Sequence, residues 1–424
     1  MNWGGGQSGG VLEKITKDAG RTMKRQRTEE PHLLHPPTST LLQHLQSTGA
    51  SFPNLTFQQT PNAGITARAT KALAIGEVVF TLPHSSILTT TKVQESHLGQ
   101  VLQSTQPASS TEFQLCLYLI LALRDTTNPF HCYAASLSST PPDPTHWPVH
   151  LQSRVRGTVA TAINKALQEL NTWFDFCHNE TQNPLSTIPS FNRDKPTMKE
   201  LKWARGHMVS RRFAEQLIVA ADHTTAGTTG THNYSMLPGL DLLNHSDQVE
   251  MKWDMDKEGT VRFITMTPVA KGDICWNNYG QKSNTSLLFM HGFALNNNPC
   301  DNVELSLKSQ HDGVVNIEWQ DCFYGNETCV PNELLFNFIE EDEELCREAI
   351  EYIVSWLNSY LSPLLVFEKE EEDLLLGGNE QEQHDERLVW IAHHHSSQRR
   401  ILRHIEMLLN NQFEAVKESR KRST

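Results

Sequence analysis

Two short stretches, DLLNHS at Asp241–Ser246 and NNYGQKSN at Asn277–Asn284, are too polar for their apolar settings. Leu240, Leu242 and Leu243 read as core, yet they lead into Asn244-His245. The strand-like Ile274-Cys275-Trp276 likewise runs straight into Asn277-Asn278-Tyr279-Gly280. A buried polar group left unpaired costs about 1–3 kcal/mol, so segments of this kind usually exist to bind something. The usual enzyme signatures are missing. The chain has no GxSxG elbow, no HExxH and no P-loop. Its eight cysteines stand singly, with no Cys-x-x-Cys pair or metal-like spacing, and read as thiols in a reducing compartment. Single cysteines outside any recognised nucleophile motif give no support to thiol catalysis. Adjacent residues on a helix do not share a face, so His393-His394-His395 reads as a partly exposed helical stretch and not as a metal site. Gly4-Gly5-Gly6-Gln7-Ser8-Gly9 matches GxGxxG in form alone, because no strand precedes it and no helix follows.

Composition narrows the class. With 424 residues, 38% of them hydrophobic and 20% charged, the chain can bury a sizeable core in two or three domains. The net charge is 36 − 49 = −13, which argues against general nucleic-acid binding. No run of about 18 apolar residues exists to span a membrane. The N-terminal segment lacks an apolar secretion signal, so a cytoplasmic or nuclear location is expected. Acid concentrates in Glu340-Glu341-Asp342-Glu343-Glu344 and in Glu368–Asp373. Such runs are usually solvated faces; the alternative is a surface that attracts a basic partner.

The elements that must position the two polar stretches follow from periodicity. Residues 1–48 are Gly-, Lys/Arg- and Pro/Thr-rich and read as a disordered tail. Gly64–Ala67 and Gly76–Pro83 read as short strands, and Met251–Met255 with Arg262–Met266 as an antiparallel pair. Ile274–Tyr279 and Val303–Leu307 are further strands, with a helix at Ser283–Met290. Helical period marks Glu112–Arg124, Thr158–Cys177 and Met198–Ala220, and everything after about Leu345. Short β elements thus flank a helical insert at about 90–205, and helices close the chain. That is an α+β protein with a separate α domain.

Together these segments resemble the SET-domain protein methyltransferases, in the branch typified by the plant Rubisco large-subunit lysine methyltransferase. Asn62-Ala63-Gly64 with Gly76-Glu77 is similar to the opening strands of that family. Trp203-Ala204 through Ser210-Arg211-Arg212-Phe213 is similar to the helix before its core, and Leu237–Ser246 to its Asn-His motif. Gly272-Asp273, Asn278-Tyr279-Gly280, Lys282-Ser283-Asn284 and Gly292-Phe293 follow its Tyr motif. Gln398–Leu402 is like the end of its C-terminal domain. The match runs in order over about residues 55–415. Two positions depart from the pattern: Asn62 replaces the first glycine of a Gly-x-Gly, and His291 stands where tyrosine is common.

The resemblance implies a SET β-fold over 49–296, in which Asn244-His245 passes beneath the return through Tyr279 in a knot-like crossing. It implies an α-helical substrate-binding domain over 297–424. S-adenosyl-L-methionine would meet Pro61 and Ala63, Arg211 at its carboxylate end, and Asp241, Asn244, His245 and Tyr279. Tyr279 would be catalytic, orienting amine and methyl, while Phe213 and Ser210 would line the acceptor-lysine site. The expected activity is methyl transfer to a lysine of a non-histone protein. The alternatives are protein-histidine methylation on the same scaffold and a catalytically silent binding module.

Overall fold

The computed structural model describes residues 34–60, 64–103, 110–179, 183–214, 234–308, 318–324, 355, 357–376 and 385–423. The chain divides into two compact units. One comprises residues 1–85 and 238–278, the other 86–237 and 279–424.

The first unit carries most of the β structure. Leu55–Thr60 pairs antiparallel with Gly64–Ala69, and Val78–Leu82 with Val261–Thr265, which also pairs with Met251–Met255. Trp253 and Phe263 sit opposite each other and put their rings 4.3 Å apart, as aromatic cross-strand neighbours do. Phe52 stacks on Phe80 at 4.7 Å and meets Phe57 edge-on at 5.6 Å. The expected tail is overturned at its end. Pro36–Ser47 is a helix that buries Thr38, Leu41, Leu42 and Leu45. Proline at its first positions is pre-set for a helix start, and the leucines supply one apolar face. Residues 1–33, with the glycine run, lie outside the described residues.

The second unit is mainly helical. Thr111–Arg124 buries every residue from Phe113 to Ile120, and Phe113 stacks on Trp173 of Gly157–His178 at 5.0 Å. Arg124 forks onto Glu200 at 2.8 and 2.7 Å. Glu200 also closes a capping box with Thr197 that starts the helix Met198–Arg211. That helix ends at Arg211 and not at Ala220, because Arg212–Ala214 leaves it to pair with Tyr234–Met236. A hairpin of Asn302–Lys308 and Glu318–Tyr324 precedes the last helices, so the stretch after 297 is not wholly helical. Ile274–Tyr279 is no regular strand either; it touches its neighbours through single bridges at Ile274 and Asn277.

The C-terminal helices share a compact unit with the insert. A buried polar lock explains this. The Arg156 backbone N–H donates to His395 Nε2 at 3.0 Å, so His395 must donate from Nδ1 to Glu371, 2.7 Å away. Arg399 donates to the other oxygen of Glu371 at 2.6 Å and to the Leu364 carbonyl at 2.9 Å. Arg154 binds Glu370 at 2.7 Å, and its guanidinium lies 4.4 Å over Phe367. The acidic run at 368–373 is therefore not merely a solvated face, and His394 and His395 are buried rather than partly exposed. The acidic run at 340–344 lies outside the described residues.

Candidate active site

In the first unit the backbone makes a tight crossing. Leu240–Leu242 forms a single 3₁₀ turn with Leu240, Leu242 and Leu243 buried, and Asp241 accepts the Gly239 N–H at 3.1 Å. Beyond it the chain runs beside residues 274–278. The Asn277 N–H donates to the Asn244 carbonyl at 2.8 Å, and the Ser246 N–H to the Asn277 carbonyl at 2.9 Å. His245 and Asn277 pair in parallel. Asn244 Nδ2 ties this crossing to the Ile65 carbonyl at 3.0 Å, and Asn278 Nδ2 to that of Val249 at 2.8 Å. Cys275 N–H adds a bond to Ala67 at 2.8 Å. Three stretches distant in sequence are thus laced around Asn244.

Two polar atoms in this weave have no hydrogen bond among the described residues. They are Asn277 Oδ1 and Thr66 Oγ1, on residues exposed by only 1% each. Such orphans each cost about 1–3 kcal/mol unless a ligand satisfies them. The residues present therefore suit a polar ligand. Pro61 and Ala63 lie outside the described residues.

In the second unit the helix Met198–Arg211 delivers Ser210 and Arg211 at its last turn. Ser210 Oγ donates back to the Gly206 carbonyl at 2.8 Å, so its hydroxyl caps its own helix. Phe213 lies in the following strand, opposite Ser235. Arg212 and Phe213 point to opposite faces of that strand, as the pleat requires. Arg212 pairs with Glu112 and lies 4.0 Å over the Tyr234 ring, leaving Phe213 half-buried on the other face.

Tyr279 packs its ring 4.8 Å from His291, tilted by 40°, and His291 is 6.2 Å from Phe293. A buried amide cluster fixes the segment between them. Asn284 exchanges hydrogen bonds with the Leu295 backbone at 3.0 and 2.9 Å, and Asn298 Nδ2 donates to the Lys282 carbonyl at 2.8 Å. Asp301 accepts the Asn284 N–H at 2.7 Å, and burial pushes its carboxyl up. Gly292 follows His291 with φ +74°, where a side chain's Cβ would sit 2.0 Å from the Pro142 carbonyl oxygen. Only glycine fits there. Burial, then the charge of Arg212, holds Lys282 below the usual lysine range.

Of the residues picked from sequence, Asn244 and His245 lie together at the crossing, with Asp241 in the middle of the turn that precedes them. Ser210, Arg211 and Phe213 follow one another across a helix–strand junction, and Tyr279 lies against His291. The sequence reading missed Thr66 and Asn277, although Asn277 stands in the polar stretch itself. It also missed Asp143, His146 and His207, which form a buried cluster beside the last helix turn. No metal-holding group of His, Cys, Asp and Glu occurs among the described residues, and no helix there is long and apolar enough to cross a membrane. Surface grooves of about 430 and 950 Å³ lie elsewhere, along Ser396–Met407 and Pro189–Glu200, and contain none of the predicted site residues.

No family model matches the chain. Among curated proteins it is 28% identical over 251 residues to the ribosomal lysine N-methyltransferase set10 of Schizosaccharomyces pombe, covering 58% of this chain and 42% of that protein. It is 28% identical over 234 residues to the N-lysine methyltransferase setd6 of Xenopus laevis, covering 53% and 50%. The chain spans about half the length of the curated relatives it matches. Among solved structures, the SET domain of LSMT bound to lysine and AdoHcy superposes with a TM-score of 0.75 over 91% of this chain and 94% of that one, at 16% identity. Rubisco LSMT bound to AdoMet gives 0.73 at 17% identity. The fold is therefore that of the Rubisco LSMT SET structures.

Proposed function

We propose that this chain, a relative of SET-domain lysine methyltransferases, transfers a methyl group from S-adenosyl-L-methionine to a lysine of a protein substrate. One observation carries the reading: a laced crossing at Asn244–Ser246 and Asn277 that buries polar atoms with no hydrogen-bond partner among the described residues, in a fold of this class. A ligand rich in donors and acceptors satisfies such atoms. The likeness to set10 and setd6, both named as lysine methyltransferases, points the same way.

The cofactor supplies an activated methyl on a sulfonium. The residues have simpler duties. Asn244 and His245 hold its polar atoms, and Arg211 pairs with its carboxylate. Asp241 keeps the turn before Asn244 in shape. A free lysine has a pKa of about 10.4, so the acceptor must be received in an apolar channel that disfavours its charged form. Phe213 suits that role, since an aromatic face packs against an aliphatic stem. Tyr279 orients the acceptor nitrogen for in-line transfer. Ser210 stands at the channel entrance, and Pro61 and Ala63 belong to the cofactor loop. The C-terminal helices select the protein substrate, which lies in the cytoplasm or nucleus and is not a histone.

Calorimetry with S-adenosylhomocysteine, the demethylated cofactor, tests this. The wild-type chain should bind it, and Asn244→Ala should weaken binding by about tenfold, the worth of one hydrogen bond to a buried polar partner. Failure of the folded wild type to bind removes the reading.

A further inference from the structure

We infer that His207 is a positioning residue for Arg211, fixing the guanidinium that receives the cofactor's carboxylate; the inference rests on the methyl-transfer reading above. His207 lies one helical turn before Arg211, at the i, i+4 spacing that places two side chains on one face. It is fully buried. Its Nε2 lies 2.8 Å from the Ser138 carbonyl oxygen, which can only accept, so the proton sits on Nε2. Trp203, one turn earlier, meets the ring edge-on at 5.3 Å and donates to the same carbonyl at 2.9 Å. The imidazole is therefore held in one orientation and one tautomer. Nδ1 is left as an acceptor, buried and without a hydrogen bond among the described residues.

The surroundings keep it an acceptor. Burial, then the charge of Arg211, pushes His207 down to about 3, so the ring is neutral at any working pH. Arg211 is thus close enough for its charge to be felt by the ring. Beneath the helix lies Asp143, exposed by 1%, with its carboxylate 2.9 Å from His146 Nδ1 and 3.0 Å from the Thr145 N–H. Burial pushes the Asp143 carboxyl up, but the bonds and charge of His146 and the Thr145 donors outweigh it and keep the group ionised. Gly206 lets this loop approach, since a Cβ there would stand 2.4 Å from Asp143 Oδ2. The neutral acceptor thus lies on the face of the helix that carries Arg211, and the buried carboxylate lies against Gly206 next to His207. A guanidinium keeps five donors, so one can be directed to His207 Nδ1 while others face a carboxylate.

Two isosteres separate positioning from packing. Gln at 207 reproduces the Nε2 donor to Ser138 and lacks the Nδ1 acceptor; Asn reproduces the Nδ1 acceptor and lacks the donor. The readout is the ratio of calorimetric affinities for S-adenosylhomocysteine and for 5′-methylthioadenosine, which lacks the amino-acid carboxylate. Arg211→Ala should lower that ratio about tenfold or more. His207→Gln should lower it about tenfold, while His207→Asn keeps it within about threefold. The Arg211→Ala/His207→Gln pair should lose no more than Arg211→Ala alone, because both act on one interaction. An unchanged ratio in Arg211→Ala would mean that Arg211 does not hold the carboxylate, and the assignment beneath the inference fails. A lowered ratio in Arg211→Ala with an unchanged one in His207→Gln overturns the inference alone. So does a lowered ratio in His207→Asn, which also decides the matter if the Gln variant does not fold.

Discussion

Replacing Tyr279 by phenylalanine should cut methyl transfer about a hundredfold while S-adenosylhomocysteine binds within about threefold of wild type. The hydroxyl is proposed to orient the acceptor nitrogen, and a misplacement of about 1 Å at the reacting centre costs on the order of 10² in rate. The ring itself should not move. It packs against His291 at 4.8 Å, a ring contact that does not involve the hydroxyl. Phenylalanine therefore removes one group and keeps the packing, so the loss should appear in turnover and not in cofactor affinity. Single-turnover transfer of labelled methyl reads the effect. Equal rates in mutant and wild type would deny Tyr279 its role.

The second large effect concerns stability. Glu371→Ala should destabilise the chain by about 3 kcal/mol, because it leaves the His395 Nδ1–H buried without its acceptor. It also leaves Arg399 with only the Leu364 carbonyl and the more distant Glu368 carboxylate at 3.4 Å. Arg399 and Glu371 are exposed by only 3% and 5%. A double change of Glu371→Leu with Arg399→Met should recover much of the loss, since a buried ion pair is often matched by apolar residues of similar volume. Urea unfolding followed by circular dichroism measures both. A single variant as stable as wild type would show that the lock does not hold the C-terminal helices to the insert.

These residues also show where sequence reading stops. Asn244, His245 and Tyr279 stood out because amide, imidazole and phenol groups interrupted apolar runs, and a polar group in such a setting is conspicuous locally. The helix Pro36–Ser47 carried its own signals in Pro36, Pro37 and the leucines, but Ser, Thr and Pro around them suggested a tail. The lock was hidden for a different reason. Glu371 and His395 each look solvated in their own helices, and their partners come from elsewhere: Arg399 for Glu371, and Arg156, 239 residues away, for His395. Arg212–Ala214 continues a helical period, and only its pairing with Tyr234–Met236 makes it a strand. His207 was within reach, one turn before Arg211, but its meaning depends on Ser138 and Asp143 in a loop some sixty residues earlier. Local pattern shows which groups are unusual; partners from afar decide what they do.

The choice of acceptor is the sharpest point of the account, and Phe213 carries it. An aromatic wall offers a lysine stem apolar contact, whereas an imidazole acceptor would leave a ring nitrogen unpaired against it at a cost of about 1–3 kcal/mol. Tritiated-methyl S-adenosylmethionine, incubated with the full chain and an extract of cells lacking its gene, followed by acid hydrolysis and amino-acid analysis of the labelled protein, tests this most directly. The account predicts label in methyl-lysine, lost with Tyr279→Phe. Label in methyl-histidine without methyl-lysine, or no transfer to protein at all, would contradict it.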